Sequence, residues 1–350
     1  MKNLAERQDI LLKGNNMLQK QSLQDSFGRT LDYLRISVTD RCNLRCLYCM
    51  PPEGVKYIPH ENILSFEEIL RIIKIMTGLG IKNIKVTGGE PLLRKGTSAF
   101  LKQLKTISGI ESVTLTTNGI LLGEYLDVND CLPDSINISI DALNCERYKH
   151  ITRSNNENIN KILSLIDFLL EKNITVKINC VPIRSVNENE IIPLVSLAKN
   201  KNIIVRFIEL MPLGTASNLQ FIPAKDVMSL IEKEFGLISP YEGIKSNGPA
   251  VYYSLPNFKG KIGLINAVSH GFCDTCNRLR LTSEGFLKLC LSSDLGLDLR
   301  GLIRSSKNIS DEEISFAITK IVNQKPKFHS LSDKYGKLER HAKGMFEIGG

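Results

Sequence analysis

The sequence predicts an α/β fold, in the form of an incomplete (βα)6 TIM-like barrel with an open lateral side. Six short β-branched segments alternate with stretches of helical periodicity, and this alternation stops near residue 245. Successive βα units form a parallel sheet with right-handed crossovers. Because six units are fewer than the eight that close a barrel, one side should stay open, and a flat doubly wound sheet is the alternative.

Each predicted strand is a short run rich in β-branched and other apolar residues. The six runs are LRISVT (34–39), NIKVT (83–87), SVTLTT (112–117), SINISI (135–140), ITVKINCV (174–181) and IIVRFIEL (203–210). Between them, helical periodicity is clearest at residues 65–80, 159–172 and 188–200. In the first of these helices Ser65 and Glu68 have capping-box spacing, and Gly80 is suited to end it.

Composition divides the chain into three parts. Residues 1–30 are polar and predict a mobile or weakly helical N-terminal extension. Residues 31–245 contain the predicted barrel. Residues 246–350 consist of short segments punctuated by glycine and proline, contain three further cysteines, and end in Gly349 and Gly350.

Composition also limits the classes of protein. In 350 residues the hydrophobic fraction is 42%, which is typical of a globular protein, and no apolar run is long enough to span a membrane. The N-terminus MKNLAERQDILLKG lacks the apolar core of a signal peptide, so we expect a cytoplasmic protein with reduced thiols. The net charge of +8 suits an anionic substrate or nucleic acid, but also an ordinary solvated surface.

Three cysteines, Cys42, Cys46 and Cys49, form a C-x3-C-x2-C loop directly after the first predicted strand. Structural zinc requires four ligands, so a fourth such as His60 would have to come from elsewhere. A disulfide would use only two of the thiols. A [4Fe–4S] cluster bound by three cysteines explains the count and leaves one iron open to a small molecule. The loop also lies where parallel α/β folds place their active sites.

A second set, Cys273, Cys276 and Cys290, has C-x2-C-x13-C spacing. Zinc with His270 as a fourth ligand is the alternative here, but two sets of three thiols favour two clusters. We therefore predict a C-terminal iron–sulfur region that closes the open side of the barrel. The scattered residues Cys131, Cys145 and Cys180 are predicted to be buried structural thiols.

The segment TGGEP (87–91) follows the second predicted strand. Gly88 and Gly89 have no side chains, so the backbone there can approach a ligand closely. Glu90 has a carboxylate that can accept a hydrogen bond from an ammonium group. A Gly-Gly pair is more often a simple turn, and only its position after a strand indicates a site.

These motifs resemble two nested families. The three-cysteine loop, with aromatic Tyr48 before its third cysteine, and TGGEP resemble the radical S-adenosylmethionine superfamily. The two cysteine sets, CNRLRL (276–281) and the terminal Gly-Gly together resemble the GTP 3′,8-cyclase family, known as molybdenum cofactor biosynthesis protein A. This resemblance covers about residues 28–350 and implies two [4Fe-4S] clusters and S-adenosyl-L-methionine as cofactors.

The resemblance also implies site residues. The two cysteine sets would ligate the clusters, and no protein residue is expected to be catalytic, because the radical is generated on bound S-adenosyl-L-methionine. The implied contacts to this cofactor are Tyr48, Gly89, Glu90, Ser139 and Met211. The implied contacts to GTP are Arg35, Lys85, Thr116, Lys177, Arg278 and Arg280, with Arg206 expected to face the same cavity. Lys85 stands where the family often has arginine. The lysine keeps the positive charge but lacks the bidentate fork of arginine.

The implied reaction begins when a 5′-deoxyadenosyl radical takes the hydrogen at C3′ of GTP. The ribose radical then attacks C8 of guanine, which gives (8S)-3′,8-cyclo-7,8-dihydroguanosine 5′-triphosphate, the first step of molybdenum cofactor (molybdopterin) biosynthesis. The implied partners are a downstream cyclic pyranopterin monophosphate synthase and a low-potential electron donor, and a homodimer is possible. The Gly349–Gly350 tail is expected to enter the active site.

Two other functions are alternatives to this one. Another radical S-adenosylmethionine enzyme with an auxiliary cluster, such as a peptide-modifying maturase, usually carries more C-terminal cysteines. A zinc-stabilised module that binds nucleic acid would suit the positive charge. However, aromatic residues make up only 6% of the chain and tryptophan is absent, so no nucleic-acid partner is predicted.

Overall fold

One twelve-stranded sheet organises the residues that the computed structural model describes, which are 22–127, 132–154, 159–243, 247–269, 271–331 and 344–348. Its strands are β1 (Tyr33–Ser37), β2 (Asn83–Thr87), β3 (Ser112–Thr117), β4 (Ser135–Ser139), β5 (Thr175–Cys180), β6 (Ile204–Ile208), β7 (Ser239–Pro240), β8 (Val251–Ser254), β9 (Lys261–Ile265), β10 (Arg278–Leu281), β11 (Phe286–Lys288) and β12 (Gly296–Asp298). The α-helices are α1 (Phe66–Gly78), α2 (Thr97–Thr106), α3 (Leu122–Asp127), α4 (Cys145–Thr152), α5 (Ile159–Glu171), α6 (Ile191–Asn200), α7 (Ala224–Phe235), α8 (Leu299–Ile303), α9 (Asp311–Val322) and α10 (Met345–Ile348).

The six predicted strands are confirmed as β1–β6, each within two residues of its predicted bounds. The three clearest helices also form, as α1, α5 and α6, the last preceded by a 3-10 turn at Glu188–Glu190. The capping box of α1 is present, because Glu68 donates its backbone N–H to Ser65 Oγ at 3.2 Å and Ser65 donates to Glu68 Oε2 at 2.7 Å. Hydrophobic periodicity and capping residues were therefore sufficient to predict the strands and helices in this part of the chain.

Strand order shows an open, barrel-type sheet. The order is β12-β11-β10-β1-β2-β3-β4-β5-β6-β9-β8-β7, and no pairing joins β12 to β7 among the described residues. β1 to β6 lie in chain order, whereas a doubly wound sheet reverses its order at a switch point. The prediction of an unclosed α/β barrel is thus confirmed, and the doubly wound alternative is wrong.

The count of six parallel strands is incomplete. β10 pairs in parallel with β1, and β9 pairs in parallel with β6, so eight parallel strands stand side by side. Both added strands come from the C-terminal third of the chain, one at each edge of the predicted six. Their sequences, KIGLI and RLRL, lie beyond the βα alternation, and no helix follows either before the next strand. The repeat pattern therefore gave no sign of them.

The sheet has an apolar outer face and a polar inner face, because side chains alternate along each strand. On β1, Leu34 and Ile36 are fully buried in the main hydrophobic core, beneath the helices. Arg35 lies between them and points to the other face. It is in register with Lys85 on β2 and with Arg280 on β10. The pairing therefore places cationic side chains from three strands in one row.

The sequence predicts a mobile or weakly helical extension over residues 1–30. In the structure, however, residues 22–30 pack against the barrel. Leu23 is buried, and its N–H donates to the carbonyl of Leu79 at 2.9 Å. Arg29 donates from Nε to Asp25 Oδ2 at 2.6 Å, and both side chains are almost fully buried. The guanidinium also donates to three carbonyl groups 2.7–3.0 Å away, those of Cys273, Pro326 and Lys327.

The remaining predictions concern the scattered cysteines and the ends of the chain. Cys180 is fully buried, as predicted, but Cys145, the first residue of α4, is only half-buried and packs against the main core. Residues 1–21, Cys131, His270 and the Gly349–Gly350 tail lie outside the described residues. In the described part of the chain, no helix is long and apolar enough to cross a bilayer.

The buried Arg29–Asp25 pair gives a stability prediction. Replacing Arg29 by Met should lower the free energy of unfolding by about 3 kcal/mol or more, because it leaves a buried carboxylate without its cation. The control is Glu111→Gln, which removes the exposed partner of Lys82 and should cost less than about 1 kcal/mol. Urea unfolding of the cluster-free chains measures both, and equal small losses would contradict the prediction.

Candidate active site

The inner face of the sheet surrounds a cavity of about 320 Å³ that both cysteine sets line. Most of the predicted site residues line the same cavity. They are Arg35, Cys42, Cys46, Tyr48, Cys49, Lys85, Gly89, Thr116, Ser139, Arg206, Met211, Cys273, Cys276, Arg278, Arg280 and Cys290. Glu90 and Lys177 were predicted for the site and lie outside this lining. The fold therefore joins, in one chamber, motifs that are up to about 250 residues apart in the chain.

The first cysteine loop is a tight turn after β1. Cys49 and Met50 both donate their N–H groups to the carbonyl of Cys46, at 2.9 and 3.1 Å. Leu44 donates its N–H to Cys42 Sγ at 3.4 Å, and the backbone N–H of Phe346 in α10 donates to Cys49 Sγ. The loop thus turns its thiols toward the cavity and holds them with backbone donors.

Burial controls the chemistry of these three thiols. It raises the pKa of Cys42 to about 11 and that of Cys49 to about 12, and it raises the pKa of Cys46 well above its ordinary value. The protein's own charges therefore do not stabilise three thiolates here. A cationic metal centre would supply that stabilisation, since thiols must lose their protons to ligate metal.

The second cysteine set is held by neighbouring backbone groups and cations. Cys276 donates its N–H to the carbonyl of Cys273 at 3.2 Å, and His329 donates its N–H to Cys273 Sγ at 3.4 Å. Burial raises the pKa of Cys273. Burial acts in the same direction on Cys276, but Arg278 and Lys325 together outweigh it, so the pKa of Cys276 is lowered.

The donors of the first set suit an iron–sulfur cluster better than a single zinc ion. Among the described residues, no group of three His, Cys, Asp or Glu side chains is arranged to hold one metal ion. His60, the candidate fourth zinc ligand of the first set, is exposed and does not line the cavity. Three soft thiols in each set match the ligand chemistry of clusters, with a fourth iron left without a cysteine.

The carboxylate of Glu90, in the TGGEP segment, is hydrogen-bonded within the protein. The buried carboxylate of Glu90 accepts from the N–H groups of Leu92 at 3.1 Å and Asn118 at 2.7 Å, and from Thr117 Oγ1 at 2.8 Å. Glu90 thus links its own segment to the end of β3 and to the residue that follows it, and its predicted contact with the cofactor stays a prediction. Gly89 does line the cavity, but its lack of a side chain is required by the loop beside it, because a Cβ would lie 2.3 Å from the carbonyl oxygen of Arg41.

Tyr48 is fixed at the cavity wall by a residue that the sequence analysis did not identify. Its hydroxyl donates to Asp141 Oδ2 at 2.6 Å, and Val181 donates its N–H to Asp141 Oδ1 at 2.8 Å. Asp141 follows Ser139 by two residues, on the same side of the chain, and both line the cavity. The alternation of inward-facing positions is the signal that would have found it.

Positive charge dominates the cavity. Of the described residues that line it, six are lysine or arginine and two are carboxylates. The two carboxylates are Asp141 and Glu209, and Glu209 accepts N–H donors from Ala224, Val268 and Ser269 at 2.8–2.9 Å. Backbone donors and a tyrosine thus hold both anions, and neither forms a salt bridge with a cation of the lining among the described residues.

The cations perturb one another. Burial lowers the pKa of Lys85 well below its ordinary value, and Arg206 and Arg35 lower it further. Burial also lowers the pKa of Lys177 to about 8, with a smaller contribution from Arg206, so Lys177 stands close to the group although it lies outside the lining. Like charges held in a poorly solvated space repel one another, and a multivalent anion would relieve that repulsion.

Several lining residues were not predicted from the sequence. Tyr33 precedes Arg35 by two residues on β1, and the centre of its ring is 5.8 Å from Nζ of Lys85. Others are Asn118, Asn179, Phe272, Lys325 and His329. Tyr33 is two residues from Arg35 on β1, and Asn179 is two residues from Lys177 on β5, so the alternation of inward-facing positions could have identified both. Phe272, Lys325 and His329 come from irregular segments, where no such alternation exists.

Comparisons with known proteins match these features. The Radical SAM superfamily matches residues 36–198, and Molybdenum Cofactor Synthesis C matches residues 203–331. A GTP 3′,8-cyclase of Clostridium perfringens (strain SM101) is 42% identical over 329 residues, which cover 94% of this chain and 100% of that one. A GTP 3′,8-cyclase of Desulforamulus reducens is 41% identical over 331 residues, covering 93% and 99%.

A solved structure has the same fold at low identity. Streptococcus suis SuiB bound to precursor peptide SuiA is 14% identical, has a TM-score of 0.57, and covers 97% of this chain and 74% of that one. At this identity the likeness concerns the fold alone.

Asp141 gives a prediction about pH. Burial raises its pKa from 3.8 to about 6, so the folded state holds its proton more tightly than the unfolded state does. The protonated carboxyl of Asp141 therefore contributes up to about 3 kcal/mol to the free energy of unfolding below pH 3.8. This contribution is lost as the pH rises through about 6. Asp141→Asn should therefore flatten the pH dependence of the unfolding free energy between pH 4 and 7.

Urea unfolding of the cluster-free chain at several pH values measures this effect. The control is Glu146→Gln, since Glu146 is mostly exposed and should leave the pH profile unchanged. A profile for Asp141→Asn that runs parallel to that of the unaltered chain would show that the buried carboxyl does not titrate as described.

Proposed function

The chain belongs to the GTP 3′,8-cyclase family of the radical S-adenosylmethionine superfamily, and we propose that it cyclises GTP to (8S)-3′,8-cyclo-7,8-dihydroguanosine 5′-triphosphate. This is the first step of molybdenum cofactor biosynthesis. One observation carries the proposal: two three-cysteine sets and a group of cations line a single cavity, so cofactor and triphosphate substrate would share one chamber.

The first cysteine set would hold a [4Fe-4S] cluster with S-adenosyl-L-methionine bound beside it. When bound, this pair supplies the radical that takes hydrogen from the substrate ribose. The chain's own residues would bind and orient the cofactor: Tyr48, fixed by Asp141, Ser139 at the end of β4, and Met211 after the end of β6. Gly89 and Glu90 would also contact the cofactor, and the Glu90 carboxylate holds the loop at Asn118 as well.

The second cysteine set and the cations would hold GTP. Cys273, Cys276 and Cys290 would carry the other [4Fe-4S] cluster, whose iron without a cysteine ligand would bind the guanine ring. The triphosphate would lie on the row formed by Arg35, Lys85 and Arg280, which the strand register places side by side. Arginine forks match phosphate oxygens in pairs, and Arg278, Arg206, Lys177 and Thr116 would complete the site.

The C-terminal part of the chain would close the open side of the barrel. In this proposal, residues 31–245 form the radical barrel and residues 246–350 form the second-cluster region with its tail. α10 supports the assignment, because the N–H of Phe346 reaches Cys49 Sγ and Met345 and Phe346 line the cavity. Gly349 and Gly350 directly follow this helix and would enter the site.

The reaction implies further partners. A low-potential donor would supply electrons, and a cyclic pyranopterin monophosphate synthase would consume the product; a homodimer is also possible. A peptide-modifying maturase is not favoured, because the 42% identity is to GTP 3′,8-cyclases over the whole of their length.

An anaerobic assay tests the proposed function. The reconstituted chain should convert GTP in the presence of S-adenosyl-L-methionine and a strong reductant, with 5′-deoxyadenosine formed alongside the cyclised nucleotide. Mass spectrometry identifies both products, and added synthase should consume the nucleotide. Turnover of a peptide instead of GTP would replace this function with the maturase.

The two cysteine sets should separate by function. Cys46→Ala should abolish formation of 5′-deoxyadenosine, because it removes a ligand of the first cluster. Replacing Cys273, Cys276 and Cys290 by Ala should lower the iron content from roughly eight atoms to four and abolish cyclisation, while slow cofactor cleavage persists. Cys145→Ala, outside the cavity, is the control and should change neither quantity. An unchanged iron content in the triple variant would remove the second cluster from the proposal.

The tail gives a separate prediction. Deleting Gly349 and Gly350 should leave the iron content and most of the affinity for GTP unchanged, because the cysteines and cations remain. Turnover should fall at least tenfold, which corresponds to about 1.4 kcal/mol of transition-state stabilisation. A peptide ending in Ile-Gly-Gly should restore part of the activity. Equal turnover of the full and truncated chains would show that the tail has no role in the reaction.

A further inference from the structure

A short strap, residues 325–330, runs along the second cysteine set and contacts each part of it. His329 donates its N–H to Cys273 Sγ at 3.4 Å. Ser330 donates its N–H to Ser292 Oγ at 3.0 Å and its hydroxyl to the carbonyl of Ser292 at 3.1 Å, two residues after Cys290. Cysteines that are distant in sequence are therefore linked through one six-residue segment.

Lys325 makes the most direct of these links. Its side-chain ammonium donates to the carbonyl of Arg278 at 2.9 Å and to the carbonyl of Leu289. Arg278 follows Cys276 by two residues, and Leu289 directly precedes Cys290. A single ammonium thus holds together the two arms of the cysteine set, with Cys276 just before β10 and Cys290 just after β11.

The charge of Lys325 is not balanced by a carboxylate. The residue is only 3% exposed, and among the described residues no Asp or Glu forms a salt bridge with it. Its charged neighbours Arg29 and Arg278 have the same sign. Burying an ammonium without an anion costs several kcal/mol, so a negative group is expected beside it.

The second cysteine set provides that negative group. Burial lowers the pKa of Lys325, whereas thiolate charge on Cys276 and Cys290 raises it. Lys325 also lines the cavity together with these two cysteines. A cluster ligated by three thiolates carries more negative charge when it is reduced, and a nearby buried cation stabilises that form more than the oxidised form.

We propose that Lys325 is a positioning residue of the second cluster, which fixes both arms of the cysteine set and supplies the buried positive charge that favours the reduced cluster. The inference rests on the proposed second cluster. It goes beyond the ligands, because it assigns the geometry and the reduction potential of the cluster to a residue outside the cysteine set.

The test uses the full chain with Cys42, Cys46 and Cys49 replaced by Ala, so that all bound iron belongs to the second cluster. In this background Lys325→Met removes the charge and both hydrogen bonds, and Lys325→Arg keeps the charge and donors. Lys327→Met is the matched control, because it removes an equal charge two residues away from an exposed position. Iron content and redox titration followed by electron paramagnetic resonance are measured for each chain.

With Lys325→Met, the ratio of reduced to oxidised cluster at a fixed potential should fall at least tenfold, a shift of about 59 mV for one electron. Lys325→Arg and Lys327→Met should stay within twofold of the parent. If Lys325→Met loses its iron, retention in Lys325→Arg supports the proposal, and loss in both overturns it. If Lys325→Met does not fold, Lys325→Gln, which is neutral but keeps a donor, takes its place.

The outcomes separate this inference from the function on which it rests. Unchanged iron and an unchanged potential in Lys325→Met, with iron present in the parent, would overturn the role of Lys325 alone. A folded parent that binds no iron would overturn the second cluster and this inference with it.

Discussion

Repulsion among the cations in one cavity is the constraint on which the rest of the structure depends. Burial and the neighbouring arginines depress the pKa of Lys85, and the same causes depress the pKa of Arg280 to about 9. The two carboxylates of the lining are already held by a tyrosine and by backbone donors. Negative charge from a bound molecule would relieve this repulsion, and in the proposed function the triphosphate of GTP supplies that charge.

The open sheet creates this concentration of charge. β10 adds to the edge strand β1 in parallel, so the arginines that follow the second cysteine set lie directly beside Arg35. At the opposite edge, β9 extends the sheet from β6 and carries the chain toward the same cysteine set. Two segments of the C-terminal region thus flank the barrel, and the helix α10 approaches the first cysteine loop. One chamber lined by both cysteine sets is the result.

Local sequence signals predicted much of this arrangement but not its connections. The strands β1–β6 and the capping box of α1 depend on nearby residues, so they could be predicted closely. β9 and β10 depend on long-range pairing and could not. Glu90 lies outside the cavity lining, and the three donors to its carboxylate come from segments that its motif does not specify. Lys325 and Arg29 donate hydrogen bonds to backbone carbonyl groups, and such contacts leave no pattern of residue types in the sequence.

In the proposed reaction the cofactor beside the first cysteine set and the ribose of GTP meet in this one cavity. Transfer of deuterium from the ribose to the cofactor reports that meeting. With GTP deuterated at C3′, 5′-deoxyadenosine formed during anaerobic turnover should carry the deuterium. Cyclised product accompanied by unlabelled 5′-deoxyadenosine, or label that transfers only from another position of the nucleotide, would contradict it.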